Sequence, residues 1–203
     1  MSFTEIIGAP LTLWLAPVGT AFPTVAAAPA EAWIKVGTNG DRNYEAGGVT
    51  AMHSKTYDKV RTAGASGPVK AFLTEEDLMF RVNLLDITLE QYQLALNGNT
   101  ITTTAAGVGA PGTKKIGLSH NVGSPREYAL LARGLSPYNA ALAMQYCVHR
   151  VFQSGAQEVV YRKGGTGAAL ALSFDAMEDT ATANVQERFG YILAAHAAAL
   201  PPS

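Results

Sequence analysis

Histidine, cysteine and clustered acid are the side chains with which this sequence could do chemistry, and their spacing argues against each use. The four histidines, His53, His120, His149 and His196, stand far apart. None falls in a His-Glu-x-x-His spacing, which sets two imidazoles one helical turn apart on a zinc ion. They read as satisfied or solvent-facing side chains. Cys147 lies two residues from His149; on a strand such a pair shares a face at about 6 to 7 Å, too far for direct proton transfer from thiol to imidazole. The sulfur reads as inert. Glu75-Glu76-Asp77 lacks the spaced oxygen ligands of a calcium loop and reads as a solvated turn ahead of a strand.

The glycine clusters Gly47-Gly48 and Gly164-Gly165-Thr166-Gly167 contain no Gly-Lys-Ser/Thr phosphate loop and join no strand to a helix, so they read as hairpin turns. Tyr161-Arg162-Lys163 is the most basic spot, a strand end rather than a nucleic-acid patch. Trp14, Trp33 and Tyr44 read as core or interface residues. No nucleophile, base and orienting group can be assembled. No catalytic, cofactor-binding or metal-binding residue is assigned, and the chain is not expected to be an enzyme.

The elements that would position any site are strands. Residues 11–16 alternate as a half-buried strand should and stop at Pro17 and Gly19. A Pro- and Ala-rich irregular loop over 17–32 leads to a short strand at 33–36, which breaks at Gly37-Thr38-Asn39-Gly40, where Asn-Gly readily takes positive φ. From 41 to 68 the chain is polar and glycine-punctuated; strand-like content over 49–60 and a turn at 64–68 predict a long hairpin or protruding loop. Leu78, Phe80, Val82 and Leu84 alternate with Met79, Arg81 and Asn83, the clearest period-two segment. Thr88 and Gln91 have capping-box spacing, a helix face follows at Leu89, Tyr92, Gln93 and Leu96, and Asn97-Gly98 supplies the stop.

Residues 98–113 are Gly, Thr and Ala and predict a surface loop or an inter-subunit contact. Further strands are predicted over 114–118, 127–133, 142–152, 158–162, 168–176 and 189–195. Leu142, Met144, Tyr146 and Val148 face one way and Gln145, Cys147 and His149 the other, one face core and one partly neutral; Leu170, Leu172 and Phe174 repeat the pattern. Without βαβ alternation, this is a mainly β chain: an antiparallel sandwich or barrel with one short helix, whose edges must be covered or paired.

Composition bounds the function. The 203 residues fit a single domain, within the usual range of about 50 to 250. Only 15% are charged, against about 25% in ordinary domains. A neutral surface rich in small residues suits a densely assembled protein; an alanine-rich coding bias produces the same composition. The net charge of -1 opposes a protein that grips nucleic acid, and one cysteine excludes an internal disulfide. Apolar runs fall short of the ~18 residues of a membrane span, and the first twenty residues read as neither export signal nor anchor, so cytoplasmic synthesis is expected.

The stretch Leu13-Trp-Leu-Ala-Pro-Val-Gly-Thr-Ala-Phe-Pro23, then Trp33-Ile-Lys-Val-Gly37, then the acidic-led strand Thr74–Leu84 running into the Thr88 helix that ends at Asn97, resembles the major tail tube proteins of siphophages. The resemblance covers residues 11–97 best. It implies a structural subunit of a bacteriophage virion that closes into hexameric rings, stacked as a hollow tube around the tape measure protein and capped by tail terminator and distal tail proteins. DNA passes through the lumen at ejection without specific binding, and no membrane takes part. By the same analogy residues 1–10 are an N-terminal arm, 41–68 a loop or hairpin that stacks on the adjacent ring, and 196–203 a C-terminal tail; hairpins from 49–84 and 127–152 are candidates to line the lumen. The alternatives are a tube protein of a related contractile or secretion system, a capsid decoration protein, or, in a different class, a small-molecule-binding β-barrel.

Overall fold

A computed structural model describes residues 10–119, 123–135, 143–159, 161 and 168–195. They form β1 (Thr12–Ala16), β2 (Ile34–Lys35), β3 (Tyr44–Val60), β4 (Lys70–Leu84), α1 (Leu89–Ala95), β5 (Ile101–Thr104), β6 (Thr113–Ile116), β7 (Glu127–Leu135), β8 (Ala143–Gln153), β9 (Leu170–Ala176) and β10 (Gly190–Ala194). All pairings are antiparallel, in the order β2-β1-β7-β8-β9-β4-β3, with β10 also on β8 and β5-β6 forming a separate ribbon. The expected mainly β sandwich is present; the sheet does not close into a barrel.

Strand β8 is the corner. Its first half, Met144–Val148, pairs with β10, and its last residues, Val151–Gln153, pair with β9. The sheet thereby folds into two layers, β2-β1-β7-β8-β10 against β3-β4-β9. Between them lie Leu13, Leu130 and Val148 from the first layer and Phe80, Leu84, Leu170 and Phe174 from the second. The period-two reading of β4 and β9 holds, because alternate residues are the ones removed from water, each apolar side chain contributing about 1.5–3 kcal/mol. Phe80 meets Tyr146 edge to face across the layers, with ring centroids 5.4 Å apart.

Predicted alternation of β8 is correct in direction and incomplete in consequence. Gln145 and Cys147 do point away from the central core, yet neither has exposed surface. The loop 17–33 lies over that face, placing Phe22 and Trp33 against Ala129, Leu131 and Cys147 as a second small core. One buried and one half-buried side chain anchor it: Gln145 Nε2 donates to the Pro23 carbonyl at 2.7 Å, and Arg133 donates to the carbonyls of Ala27 at 2.6 Å and Thr24 at 3.0 Å. A loop with few backbone ladder bonds is ordered because side chains from two strands satisfy its carbonyls.

Tyr44 ties the layers at their other end. Its hydroxyl donates to Val36 O at 2.8 Å and accepts from Leu13 N at 3.1 Å. The predicted break at Gly37–Gly40 is a turn with both terminal glycines at positive φ, Gly37 at 75° and Gly40 at 69°, while Asn39 stays at -113°.

Helix α1 starts as its spacing predicts: Thr88 Oγ1 accepts from Gln91 N at 3.2 Å. The reciprocal half of the capping box is absent, since Gln91 Oε1 accepts from Gly37 N at 2.9 Å instead. A long-range buried donor takes the amide that a local bond could have used. The predicted stop is present, with Asn97 at φ 56° and Gly98 at φ 74°.

Several expectations need correction. Residues 98–113, expected as a surface loop or an inter-subunit contact, do lie largely exposed, but with more order than a loop: they supply β5 and begin β6, turned over a Gly107–Ala110 bridge. Asn99 Nδ2, donating to Gly117 O at 2.7 Å and Ser119 O at 2.9 Å, anchors that ribbon at its base. Glu158, Val159 and Tyr161 carry no strand; the remainder of the predicted 158–162 strand, with Arg162 and Lys163, lies outside the described residues, as does Leu142. Gly47-Gly48 is not a turn but part of a bulge inside β3, where Tyr44 pairs with Leu84 and Val49 with Val82, and Gly48 takes φ 62°. Glu75-Glu76-Asp77 lies within β4, opposite Thr56, Lys55 and Ser54, because β4 begins at Lys70 rather than in the acidic cluster.

Candidate assembly surface

Among the described residues, the side chains singled out for chemistry do not converge on one site. His53 sits on β3 and its Nε2 contacts Glu76 Oε1 at 2.6 Å. His149 packs edge-on to Phe22 and Tyr191, at 5.6 and 5.8 Å between ring centroids, and its Nε2 has no hydrogen-bond partner among the described residues. Cys147 is buried, and burial pushes its thiol pKa up, away from the reactive thiolate. His120, His196, Gly164–Gly167 and residues 1–9 and 196–203 of the expected arms lie outside the described residues. Among the described residues no three His, Cys, Asp or Glu side chains gather into a metal-holding group, and no helix is long and apolar enough to cross a membrane. Trp33 and Tyr44 are core residues, and Trp14 packs on the second small core.

The largest departure from a self-contained domain is the β3–β4 hairpin. Its strands run 17 and 15 residues, where about 5–6 is usual. Residues 79–84 of β4 pair with β9 and belong to the sandwich. Beyond Leu78 the two strands pair only with each other, from His53↔Leu78 out to Val60↔Lys70. At ~3.3 Å per residue this arm projects roughly 25 Å. A second bulge at Thr74 lets Thr56 pair with Glu75 and Tyr57 with Leu73, adding local twist. The sequence-predicted protrusion over 41–68 is therefore real but displaced: the arm is centred on a tip at 61–69 and draws equally on residues up to Asp77.

Both faces of the arm are wet. Tyr57 is 49% exposed, Phe72 56% and Leu73 48%, with Val60 and Val69 also exposed at the tip. Apolar side chains grouped on a ribbon with free backbone edges mark a surface that acquires a partner. Charge on the arm is segregated. Lys59, Arg61 and Lys70 surround the tip with Asp58 as the one acid there, while Glu75, Glu76 and Asp77 form an acidic run nearer the base.

At that base the arm and the β10 layer splay apart, leaving an open cleft of about 750 Å³. Leu78, Tyr146, Phe189 and Ile192 form its apolar walls; Glu75, Glu76 and Glu178 stand at its margin. Glu76 lies between His53 and Lys55, whose Nζ is 3.6 Å away, and Glu178 is joined to Arg188 at 2.6 Å. Glu75 forms no ion pair among the described residues.

Sequence reasoning missed the cleft and the charge separation. The second was legible: Lys55, Lys59, Arg61 and Lys70, followed by three consecutive acids at 75–77, stand in the chain as written. The cleft was not, because it depends on where β10 lands on β8. No protein-family model matches the chain, and no curated protein matches it.

Proposed function

We propose that this chain is a structural subunit of a bacteriophage tail tube, which self-associates into rings that stack as a hollow conduit. The observation that carries the reading is the β3–β4 arm, a ribbon of exposed Tyr57, Val60, Val69, Phe72 and Leu73 with free edges, mounted on a rigid sandwich. Such a ribbon gains little from projecting into water and much from lying on another subunit, since each apolar side chain covered contributes about 1.5–3 kcal/mol. Heterologous contacts of this kind close into rings or propagate along an axis. The weak net charge of -1 suits a lumen through which DNA slides, and the resemblance of residues 11–97 to siphophage tube proteins names the assembly. A carrier barrel finds less support, because the sheet stays open and the cleft opens to solvent.

Negative-stain electron microscopy of the purified chain across concentration tests the reading. Hollow tubes or six-fold rings are expected; a strict monomer at the highest concentration overturns it. Replacing Lys55–Glu76 by Asn-Gly rejoins Ser54 to Asp77, which already face each other, through a two-residue turn. That variant is expected to keep its circular dichroism and to lose tubes. Tubes formed without the arm would move the assembly surface elsewhere.

A further inference from the structure

We infer that the tip of the arm seats in the cleft at the base of the arm of the next copy, so that each subunit carries a plug and a socket. The inference rests on the self-assembly reading and names the contact within it.

The two surfaces differ in the ways that make them complementary. Val60 and Val69 close the ribbon through the Val69 N to Val60 O bond at 2.9 Å, and they expose 44% and 51% of their surface. Flanking them, Lys59, Arg61 and Lys70 outnumber Asp58, a surplus of two positive charges. The cleft presents apolar walls, Leu78, Tyr146, Phe189 and Ile192, together with three carboxylates, Glu75, Glu76 and Glu178, and the Arg188 guanidinium. Lys55 offsets part of that charge at Glu76; Glu75 has no ion pair among the described residues and is the carboxylate placed to meet a tip cation. Volume agrees as well: about 750 Å³ admits several side chains of a ribbon end rather than a whole domain.

An arm does not fill its own socket. None of residues 57–70 lines the cleft, and a paired ribbon lacks a hinge to fold back by roughly 25 Å. Tip into cleft is thus a contact between copies. It is heterologous, leaving one free tip and one free cleft at the ends of any open chain of subunits, which is the condition for continued growth or ring closure. Opposed charges set its direction and apolar burial its strength.

Charge reversal tests this. Lys59→Glu/Arg61→Glu/Lys70→Glu changes the tip, and Glu75→Lys/Glu76→Lys changes the cleft. Each alone is expected to raise the concentration needed for assembly, read by sedimentation velocity, by at least about tenfold. An equal mixture of the two is expected to restore assembly, because every tip then faces an opposite cleft. Wild-type assembly left unchanged by both variants, or lost without rescue in the mixture, overturns the inference and leaves the tube reading standing; a wild-type monomer overturns both. A second measurement does not depend on the reversed charges: mixing Arg61→Cys with Glu75→Cys under mild oxidation is expected to give an intermolecular 61–75 disulfide by peptide mapping. If the thiol introduced by Glu75→Cys joins any other position, or stays free, the contact is overturned.

Discussion

Gln145, fully buried on β8, accepts a hydrogen bond at 3.0 Å from Nε of Arg133, its cross-strand neighbour on β7. Through this pair the outer face of the first layer holds the 17–33 loop: Gln145 donates its amide hydrogen to Pro23 O while Arg133 reaches Ala27 O and Thr24 O. Gln145→Leu keeps the volume and removes both functions, leaving a guanidinium and a carbonyl short of partners. A loss of about 2–3 kcal/mol is expected in urea unfolding with an unchanged slope. An unchanged midpoint would mean the loop is held by the packing of Phe22 and Trp33 alone.

Alkaline pH should weaken the fold. Burial raises the pKa of Tyr44 far above its ordinary value, raises Tyr128, and pushes Tyr191 up to about 12; Cys147 is raised by burial as well. Each is an acid whose neutral form the folded chain prefers, so the folded state keeps protons that the unfolded chain releases near ~8.5 for Cys and ~10 for Tyr. Stability is fully present below those values and falls as pH rises through them. Urea midpoints from about pH 7.5 to about pH 11 should hold level and then decline. Tyr44→Phe should start lower, by about 1–3 kcal/mol for its two lost hydrogen bonds, and decline less steeply. Parallel curves for the two proteins would show that Tyr44 does not contribute to the slope.

Gly190 opens β10 at φ 139°, and a Cβ there would stand 2.1 Å from the Cys147 carbonyl oxygen. Gly190→Ala is expected to cost about 3 kcal/mol or more and to lift β10 from β8. Tyr191 packs on the small core that contains Cys147, so the thiol should then react with a maleimide that leaves the wild type untouched. Gly64→Ala is the control: nothing lies within 4 Å of its Cβ position, and a change within ~0.5 kcal/mol is expected. Equal effects at the two glycines would remove the steric argument.

The strands of the sandwich were legible in the chain because alternation is a local consequence of burying one face. Phe80, Val82 and Leu84, and Leu170, Leu172 and Phe174, announce their inward face without knowledge of a partner. Thr88, Asn97 and Gly98 announce the ends of α1 for the same reason: a cap and a stop are made within a few residues. Where a side chain's partner is distant in sequence, local pattern does not reveal it. Gln91 bonds Gly37 rather than its own cap, Gln145 and Cys147 are buried on a face that alternation alone gives as partly neutral, and Glu75–Asp77 belongs to β4 rather than to a turn.

By itself, then, the sequence determined the β class, the one short α-helix, and the polar, glycine-punctuated segment that protrudes. Tertiary structure decided that the 17–33 loop covers a second face, that β4 extends to Lys70 and makes the protrusion a paired arm, and that β10 against β8 opens a cleft at its base. Periodicity records which side of a strand is buried, a property of neighbouring residues. Which strand or loop does the burying depends on chain segments far apart in sequence, as in the Tyr44–Leu13 and Gln145–Pro23 bonds, separated by 31 and 122 residues, and only the folded chain brings those together.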